Sequence, residues 1–305
     1  MHPFKSKSIL ITGCSANSIG AALAQTLAQH PDNHHIFATA RSLSKIPESL
    51  ASLPNVTVLQ LDVTSDQSVT EAVEAVRQHT GADAAASGTN ATANTATGAG
   101  LDILVNNAGI GYTTPLLDAH IGKARDVYET NVWGVLRMVQ GFADLLIARK
   151  GRVVNVSTSG AVVNTPWIGI YSSSKSALTL LTETLRLELS PFDVSVVSLM
   201  LGTIATSFHA NEPAVTLPPS SRYIAIRDTI SRWASGEAGP KPGSVTEAAK
   251  LLAGDVLGTG TGLVWRGPNA GAVKFVSRWC PGWLVDKLLS TGQGLDELEK
   301  SKKSA

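Results

Sequence analysis

The sequence predicts an α/β fold, a doubly wound parallel sheet in a single domain with a helical extension at its C-terminus. Short apolar runs alternate with segments of helical period along most of the 305 residues, which is typical of consecutive strand–helix–strand units. The first run, Ser8 to Ile11, leads through a loop with two glycines into the helical segment AALAQTLAQH. A composition of 43% apolar and 16% charged residues is sufficient for one large domain with a full core.

Charge, cysteine content and hydropathy exclude several classes of protein. The formal net charge of +1 provides no bulk attraction for nucleic acid. Cys14 and Cys280 lie at opposite ends of the chain and form neither a disulfide framework nor a zinc-binding spacing, so we expect no metal and a reducing compartment. The strand pattern begins close to the N-terminus, and no apolar run reaches the roughly 18 residues of a membrane-spanning helix. We therefore expect a cytoplasmic protein without a signal peptide.

The first loop, TGCSANSIG, predicts a phosphate-binding turn. Gly13 and Gly20 would let backbone N–H groups approach a pyrophosphate at the N-terminus of the first helix; an ordinary tight turn is the alternative. The second strand, residues 35–41, ends on Arg41. An arginine at this position suits the 2′-phosphate of NADP, whereas an acidic residue would bind the ribose of NAD. The alternative is a solvated arginine at a strand end.

The remaining elements follow in the order expected of a doubly wound sheet. Apolar runs predict further strands over residues 56–62, 101–105, 152–156, 194–199 and 262–265. Helical spacing predicts helices over residues 64–79, 116–128, 131–147, 176–189, 224–233 and 245–257. Thr64 and Gln67 read as a capping box for the first of these helices. Ligands bind at the carboxyl ends of the strands in such sheets, which draws attention to Asp62 and Val63.

Three segments depart from the alternating pattern. Residues 81–100 consist of Ala, Thr, Gly and Asn with one charge, and we expect a flexible surface insertion. Residues 208–242 are rich in proline and follow a strand end, where a lid over the substrate is expected. Residues 271–305 form an amphipathic extension with a break at Pro281-Gly282 and a frayed end from Glu299. We expect this extension to close the pocket or form a dimer face; the alternative is an interfacial membrane anchor.

Tyr171 and Lys175 are the strongest candidates for chemistry. They lie four residues apart just before the helical spacing of residues 176–189, and if that helix begins near Tyr171, both side chains project from one face. A free phenol titrates near ~10, and an ammonium one turn away favours the phenolate, which makes the phenol a usable acid near neutral pH. The alternative is an ordinary surface pair.

Taken together and in order, these motifs resemble the short-chain dehydrogenase/reductase family over roughly residues 8–206. The shared features are the TGCSANSIG loop, Arg41, Asp62-Val63, the NNAG run at residues 106–109, Asn131, a Ser/Thr cluster after the fifth strand, and Tyr171-x-x-x-Lys175. FATAR, TPWIGIY and the tail are similar to a fungal branch of 1-acyldihydroxyacetone-phosphate reductases that depend on NADPH, which also contains many secondary-metabolite ketoreductases. The resemblance implies a Rossmann-type fold over residues 1–270.

The resemblance also implies a role for each matching residue. Tyr171 would be the general acid, Lys175 would activate it and hold the nicotinamide ribose, and Asn131 would hold a water in a proton path. Cofactor contacts are implied for a larger set: Gly13, Ser15, Ile19, Gly20, Arg41, Asp62, Val63, Asn107, Ala108, Gly109, Tyr171, Lys175, Ile204 and Thr206.

Two departures from the family pattern matter for this assignment. The family serine that stands 13 residues before the tyrosine is replaced by Thr158. Its hydroxyl can donate the same hydrogen bond, and we favour Thr158 while keeping Ser157 as the alternative. In the phosphate-binding loop, Asn17 and Ser18 stand where relatives have glycine; asparagine tolerates positive φ, whereas Ser18 adds a side chain near the phosphates.

We therefore expect an NADP(H)-dependent reductase that transfers hydride to a ketone, or oxidises a secondary alcohol with the same residues. A small-molecule carbonyl or alcohol is the expected partner, and a polyketide or terpenoid ketone of secondary metabolism is the expected substrate. One alternative is a 1-acyldihydroxyacetone-phosphate reductase of lipid metabolism, attached peripherally to the ER or lipid droplets. A homo-oligomer is also expected. An alternative of another class is a non-catalytic nucleotide-binding scaffold.

Overall fold

A seven-stranded parallel sheet with strand order β3-β2-β1-β4-β5-β6-β7 forms the centre of the protein. The computed structural model describes residues 6–86, 99–208 and 215–303. Its strands are β1 (Ser8–Ile11), β2 (His35–Ala40), β3 (Val56–Gln60), β4 (Ile103–Asn106), β5 (Arg152–Thr158), β6 (Ser195–Leu201) and β7 (Gly262–Arg266). All pairings are parallel. The order reverses between β1 and β4, so the predicted doubly wound fold is confirmed.

Helices cover both faces of the sheet, as doubly wound folds require. They are α1 (Ile19–Ala28), α2 (Glu48–Ala51), α3 (Asp66–Ala86), α4 (Ile121–Tyr128), α5 (Gly134–Arg149), α6 (Gly169–Glu188), α7 (Arg227–Ala234), α8 (Val245–Leu257), α9 (Ala270–Trp279), α10 (Gly282–Ser290) and α11 (Leu295–Lys303). Ile9 and Ile11 pack with α1 and α8 in one buried cluster. Leu10 packs with α3 and α5 in a second cluster on the opposite face, because successive strand residues alternate between faces.

Helix α3 differs at both ends from the prediction over residues 64–79. It begins at Asp66, and Ser65, not Thr64, accepts the hydrogen bond from the N–H of Ser68. The hydroxyl of Thr64 instead donates to Asp62 Oδ1 at 2.8 Å, so the predicted capping box is wrong. The helix continues to Ala86 because alanine is the strongest helix former. The expected insertion therefore cannot begin at residue 81, and its residues 87–98 lie outside the described residues.

The helices predicted over residues 116–128 and 131–147 form one nearly continuous helical stretch. Residues 116–118 form a single 3₁₀ turn after Pro115, and α4 begins only at Ile121, where His120 accepts a hydrogen bond from the N–H of Lys123. A π-helical turn, Glu129–Trp133, joins α4 to α5. π turns occur frequently at functional sites, and this one contains Asn131.

The C-terminal extension packs against the rest of the protein as three helices. The predicted break is confirmed, since α9 ends at Trp279 and α10 begins at Gly282. The frayed end predicted from Glu299 is wrong over residues 299–303, which belong to α11. This helix has acidic residues in its first turn and a Lys303–Glu299 pair one turn apart, both of which stabilise a short helix. No helix in the described ranges is long and apolar enough to cross a membrane.

A polar cluster occupies the turn between α1 and β2. His34 is 1% exposed, and its Nδ1 accepts a hydrogen bond from the N–H of Lys7 at 3.2 Å. Its Nε2 is buried without a hydrogen-bond partner and lies 3.9 Å from Asp32 Oδ2, while the ring of His30 stacks on it at 5.0 Å. Among the described residues, these three side chains form the one group whose ligand atoms converge enough to hold a metal ion. Burial lowers the pKa of His34, so its neutral form is favoured.

Candidate active site

Helix α6 carries Tyr171 and Lys175 in its first two turns, as the spacing predicts. Lys175 is only 5% exposed, and its Nζ donates a hydrogen bond to the carbonyl oxygen of Val156 in β5 at 2.8 Å. Burial lowers the pKa of Lys175 to about 8, which leaves the side chain cationic at neutral pH. The ring of Tyr171 lies 5.3 Å from the ring of Phe208, between centroids. Lys175 is therefore buried and Tyr171 is partly buried, which distinguishes the two residues from an ordinary surface pair.

Asn131 is held in one orientation by hydrogen bonds on both sides of its carboxamide. Its Oδ1 accepts from the N–H of Ile110 at 2.9 Å, and its Nδ2 donates to the carbonyl oxygen of Ile110 at 2.9 Å. Nδ2 also donates to Ser174 Oγ at 3.1 Å, and that hydroxyl donates to the carbonyl oxygen of Tyr171 at 2.7 Å. These bonds connect the π turn, the loop after β4 and the start of α6.

Gly109 lies where Asn131 and Lys175 approach each other. A Cβ atom at this position would lie 3.2 Å from Asn131 Oδ1 and 3.5 Å from Lys175 Nζ. The glycine thus allows the loop after β4 to pass close to the buried ammonium. The structure brings together three residues that are far apart in the sequence and that were predicted for one site.

Ser157 and Thr158 both belong to β5, so their side chains point to opposite faces. Ser157 is 3% exposed, and its hydroxyl lies 2.9 Å from Thr179 Oγ1 on α6. Thr158 is the last residue of the strand and is partly exposed. Its Oγ1 donates to the carbonyl oxygen of Leu201 at 3.3 Å and accepts from the N–H of Gly160 at 3.2 Å.

The loop between β1 and α1 is built on the two predicted glycines. Gly13 has φ +76°, and a Cβ there would lie 3.0 Å from Ala108 Cα. A Cβ on Gly20 would lie 2.5 Å from Asn107 Nδ2, which itself donates to the carbonyl oxygen of Thr12 at 2.8 Å. The loops after β1 and β4 are therefore in direct backbone contact, and no larger residue fits at either glycine.

Asn17 and Ser18 preserve the loop despite replacing glycines. Asn17 takes φ +58°, the left-handed conformation that asparagine tolerates. Ser18 caps α1, because its Oγ accepts from the N–H of Ala21 at 3.0 Å and donates to the carbonyl oxygen of Gly13 at 3.0 Å. Its hydroxyl is thus bonded to the backbone of its own loop. Helix α1 begins at Ile19, and its N-terminus suits an anion.

The remaining predicted cofactor residues lie along the same edge of the sheet. Arg41 directly follows β2 and is exposed. Asp62 accepts two hydrogen bonds from Thr64 just beyond β3. Ile204 and Thr206 follow β6. Directly after them, Ser207 donates its N–H to the carbonyl oxygen of Asn17 at 3.1 Å. The segment after β6 therefore approaches the loop between β1 and α1.

Several residues of this arrangement received no role from the sequence motifs. Thr12 accepts hydrogen bonds on its hydroxyl from the N–H groups of Asn107 and Ala108, both at 2.9 Å. Ser174 links Asn131 to α6, and its only signal was its position between Tyr171 and Lys175. Phe208, which contacts Tyr171, had no recognisable signal in its proline-rich segment.

Comparison with known proteins gives consistent matches. The family model of short chain dehydrogenases matches residues 7–215. The short-chain dehydrogenase ptmH of Penicillium ochrochloron is 41% identical over 281 residues, which cover 92% of this chain and 95% of the relative. An NADPH-dependent 1-acyldihydroxyacetone phosphate reductase of Schizosaccharomyces pombe is 33% identical over 228 residues, covering 73% of this chain and 70% of the relative.

Solved structures of low sequence identity share the fold. A short chain dehydrogenase from Burkholderia cenocepacia in complex with NADP superposes with a TM-score of 0.71 at 23% identity, covering 94% of this chain and 99% of that one. An alcohol dehydrogenase from Thermococcus sibiricus complexed with 5-hydroxy-NADP gives a TM-score of 0.66 at 22% identity, covering 86% and 97%.

Proposed function

Because this chain belongs to the short-chain dehydrogenase family, as its motifs predict, we propose that it is an NADP(H)-dependent reductase that converts a ketone into a secondary alcohol. The observation that carries the proposal is the buried Lys175 beside Tyr171 on α6, with Gly109 close to its ammonium and Asn131 bonded to the neighbouring Ser174. Oxidation of the alcohol would use the same residues in reverse.

The residues at the carboxyl edge of the sheet fit a dinucleotide. Gly13 and Gly20 let the loop after β1 pack against the segment after β4 without collision, and the N-terminus of α1 beside them suits the anionic pyrophosphate. Arg41 supports NADP(H) over NAD(H), since its exposed guanidinium follows β2 and suits a 2′-phosphate. Ser15, Ile19, Asp62, Val63, Asn107, Ala108, Ile204 and Thr206 complete the proposed contacts. When bound, the dinucleotide supplies the hydride.

Tyr171 is proposed to donate its phenolic proton to the carbonyl oxygen of the substrate, so that the ketone gains one proton and one hydride. The cationic Lys175 stabilises the phenolate that remains, because an opposite charge nearby favours the ionised form. Lys175 is fixed for this role by its hydrogen bond to Val156. Asn131, whose carboxamide is held by Ile110, marks the start of a path by which a proton returns from solvent.

Replacing Tyr171 by phenylalanine tests this assignment. We expect turnover to disappear while NADPH still binds, because the ring remains and only the acid is lost. Tyr128→Phe is the matched control: Tyr128 lies on α4 and its hydroxyl bonds to Ser173. Normal turnover in the Tyr171 variant would rule out the proposed chemistry. Saturable NADPH binding by the wild-type protein without turnover of any ketone would instead support the non-catalytic scaffold.

The substrate is proposed to be an apolar ketone, such as a polyketide or terpenoid. The lid segment presents an apolar face toward the body of the protein, where Leu217, Ile226 and Ile230 are buried against Trp167. Its arginines at positions 222, 227 and 232 are all exposed to solvent, and Arg227 lies 3.4 Å from Asp228. Because these arginines point to solvent and do not converge on one site, they favour an apolar ligand over a phosphate.

A 1-acyldihydroxyacetone phosphate is the second candidate, because one relative bears that activity in its name. NADPH oxidation with this ester, with an apolar cyclic ketone and without substrate distinguishes the two. Turnover of the ketone alone supports the first proposal. Turnover of the ester would assign the protein to lipid metabolism. It would also require the exposed lid arginines to reorganise around the phosphate.

We further propose peripheral membrane contact through the extension. Phe275, Trp279 and Trp283 are 60%, 76% and 68% exposed, and aromatic residues of this kind favour the membrane interface. Basic residues at positions 274, 278 and 287 accompany them. Flotation with anionic liposomes, with and without a Trp279→Ser and Trp283→Ser double substitution, tests this contact. Sedimentation of the same two proteins tests the alternative that this surface joins two copies in a homo-oligomer.

A further inference from the structure

Trp167 has a backbone conformation that is strained for its residue type. Its φ is +72°, a region that bulky residues rarely adopt and that persists only where surrounding contacts enforce it. The residue is 7% exposed and lies two positions before α6 begins, four before Tyr171. Asn, Gly and Asp are the residue types that tolerate this conformation, and the position holds none of them. The contacts of the tryptophan must therefore offset the strain.

Those contacts join segments that follow three neighbouring strands. The carbonyl oxygen of Trp167 accepts from the N–H of Thr114, in the segment after β4, at 2.7 Å. The residue itself lies in the segment after β5. Its ring packs against Leu217 and Ile226, and its centroid lies 5.4 Å from that of Tyr223 in an edge-to-face arrangement; these residues follow β6. Ser221 adds a separate bond to Asp118 at 2.6 Å.

The C-terminal end of the chain is attached at the same point. The indole Nε1 donates to the carbonyl oxygen of Gln293 at 3.0 Å, and this bond is buried. Leu298 in α11 packs against the Trp167 cluster. Gly294 allows a close approach to the lid, since a Cβ there would lie 3.1 Å from the side chain of Thr229.

We propose that Trp167 is a positioning residue that ties residues 215–234 of the lid, and the C-terminal segment, residues 293–303, to the start of α6. In this role it fixes the wall of the substrate site on the side of Tyr171 where the segments after β4, β5 and β6 meet. The C-terminal segment thereby becomes part of the substrate-binding machinery. This inference rests on the proposed function only in its consequence for the substrate; the tie itself is independent of the chemistry.

Trp167→Phe removes the indole donor and retains an aromatic ring. Trp279→Phe is the matched control, because Trp279 belongs to the C-terminal extension that Trp167 contacts and is 76% exposed. Hydrogen exchange is measured first on both variants. Loss of one buried hydrogen bond should speed exchange about tenfold in residues 215–234 and 293–303 of the Trp167 variant, and leave the control unchanged. Exchange equal to that of the control would overturn the tie.

Kinetics then test the consequence for the substrate. With the apolar cyclic ketone as probe, we expect the KM of Trp167→Phe to rise about tenfold, with kcat within about twofold and the Kd of NADPH unchanged. An unchanged KM beside faster exchange would overturn the role in substrate binding. If the wild-type protein turns over no carbonyl compound, the proposed function fails, and the exchange measurement still decides whether Trp167 holds the two segments.

Discussion

Replacing Thr158 by valine should abolish most of the catalysis, whereas replacing Ser157 by alanine should not. The structure gives the two hydroxyls different environments. Ser157 is buried against α6 and bonds to Thr179, so its hydrogen bonds are already used inside the protein. Thr158 ends β5, is partly exposed, and donates over a long 3.3 Å to the carbonyl oxygen of Leu201. A substrate oxygen that gains negative charge would compete well for that proton.

The expected magnitudes follow from these contacts. Removing one hydrogen-bond donor to a developing oxyanion costs about 10²–10³ in kcat, which is the loss we expect for Thr158→Val, a substitution of nearly equal shape. Thr158→Ser keeps the hydroxyl and should remain within about fivefold of wild type, given that only χ1 freedom changes. Ser157→Ala should lose about 1 kcal/mol of stability with the Thr179 bond, and little activity.

The assay is NADPH oxidation at saturating ketone, with urea unfolding of each variant to separate catalytic from structural loss. The Gly160 N–H loses its partner in Thr158→Val, so a stability change of about 1 kcal/mol is expected there as well. If Ser157→Ala lost the larger part of kcat while Thr158→Val stayed active, the assignment from strand alternation would be refuted, and β5 would have to present Ser157 to the substrate.

Four further predictions concern stability and the cofactor. Burial lowers the pKa of Lys175 from 10.5 to about 8, so Lys175→Met should be more stable than wild type by up to about 3 kcal/mol at pH 7, less the free energy of the lost hydrogen bond. Urea unfolding should show this difference shrinking as the pH rises from 8 to 10.5. In that range the stability of wild type rises with pH, because its unfolded state binds more protons than its folded state. Burial lowers the pKa of His34 below 6.5, so wild type should lose stability as the pH falls through 6.5, and urea unfolding of His34→Gln should show a shallower loss. Arg41→Ala should weaken NADPH binding about 10- to 100-fold in titrations and leave NADH binding unchanged. Gly20→Ala should prevent NADPH binding in the same titrations, because its Cβ would lie 2.5 Å from Asn107 Nδ2.

The sheet could be predicted because its central strands are buried on both faces. Such strands appear in a sequence as short continuous apolar runs, and β1 and β4 show this directly in Ile9–Ile11 and Ile103–Val105, while Asn155 interrupts the run in β5. The strand ends were less certain, and the end of β5 matters most. Its extension by two residues to Thr158 makes Ser157 and Thr158 alternate between faces, which the sequence alone left open.

Other parts of the site depend on contacts between distant segments and have no local signal. The π turn at Asn131 could not be predicted locally, because the Asn131 carboxamide is hydrogen-bonded to Ile110 and Ser174, which are distant in the sequence. The polar end from Glu299 is expected to fray, but residues 299–303 continue α11, which Leu298 attaches to the Trp167 cluster. Trp167 takes a left-handed conformation that its residue type argues against. In each case tertiary contacts override the local preference.

The spacing of Tyr171 and Lys175 is thus a weaker argument for function than the burial of Lys175. An exposed pair at this spacing contributes little in any helix, whereas a buried ammonium carries a free-energy cost that folding must offset. Here the offset comes from outside α6: β5 supplies the Val156 carbonyl oxygen, and the loop after β4 supplies room at Gly109. Three elements of the sheet edge are therefore arranged around one charge that stability alone would remove. A gain in stability on replacing Lys175 would be the direct sign that its charge is retained for chemistry.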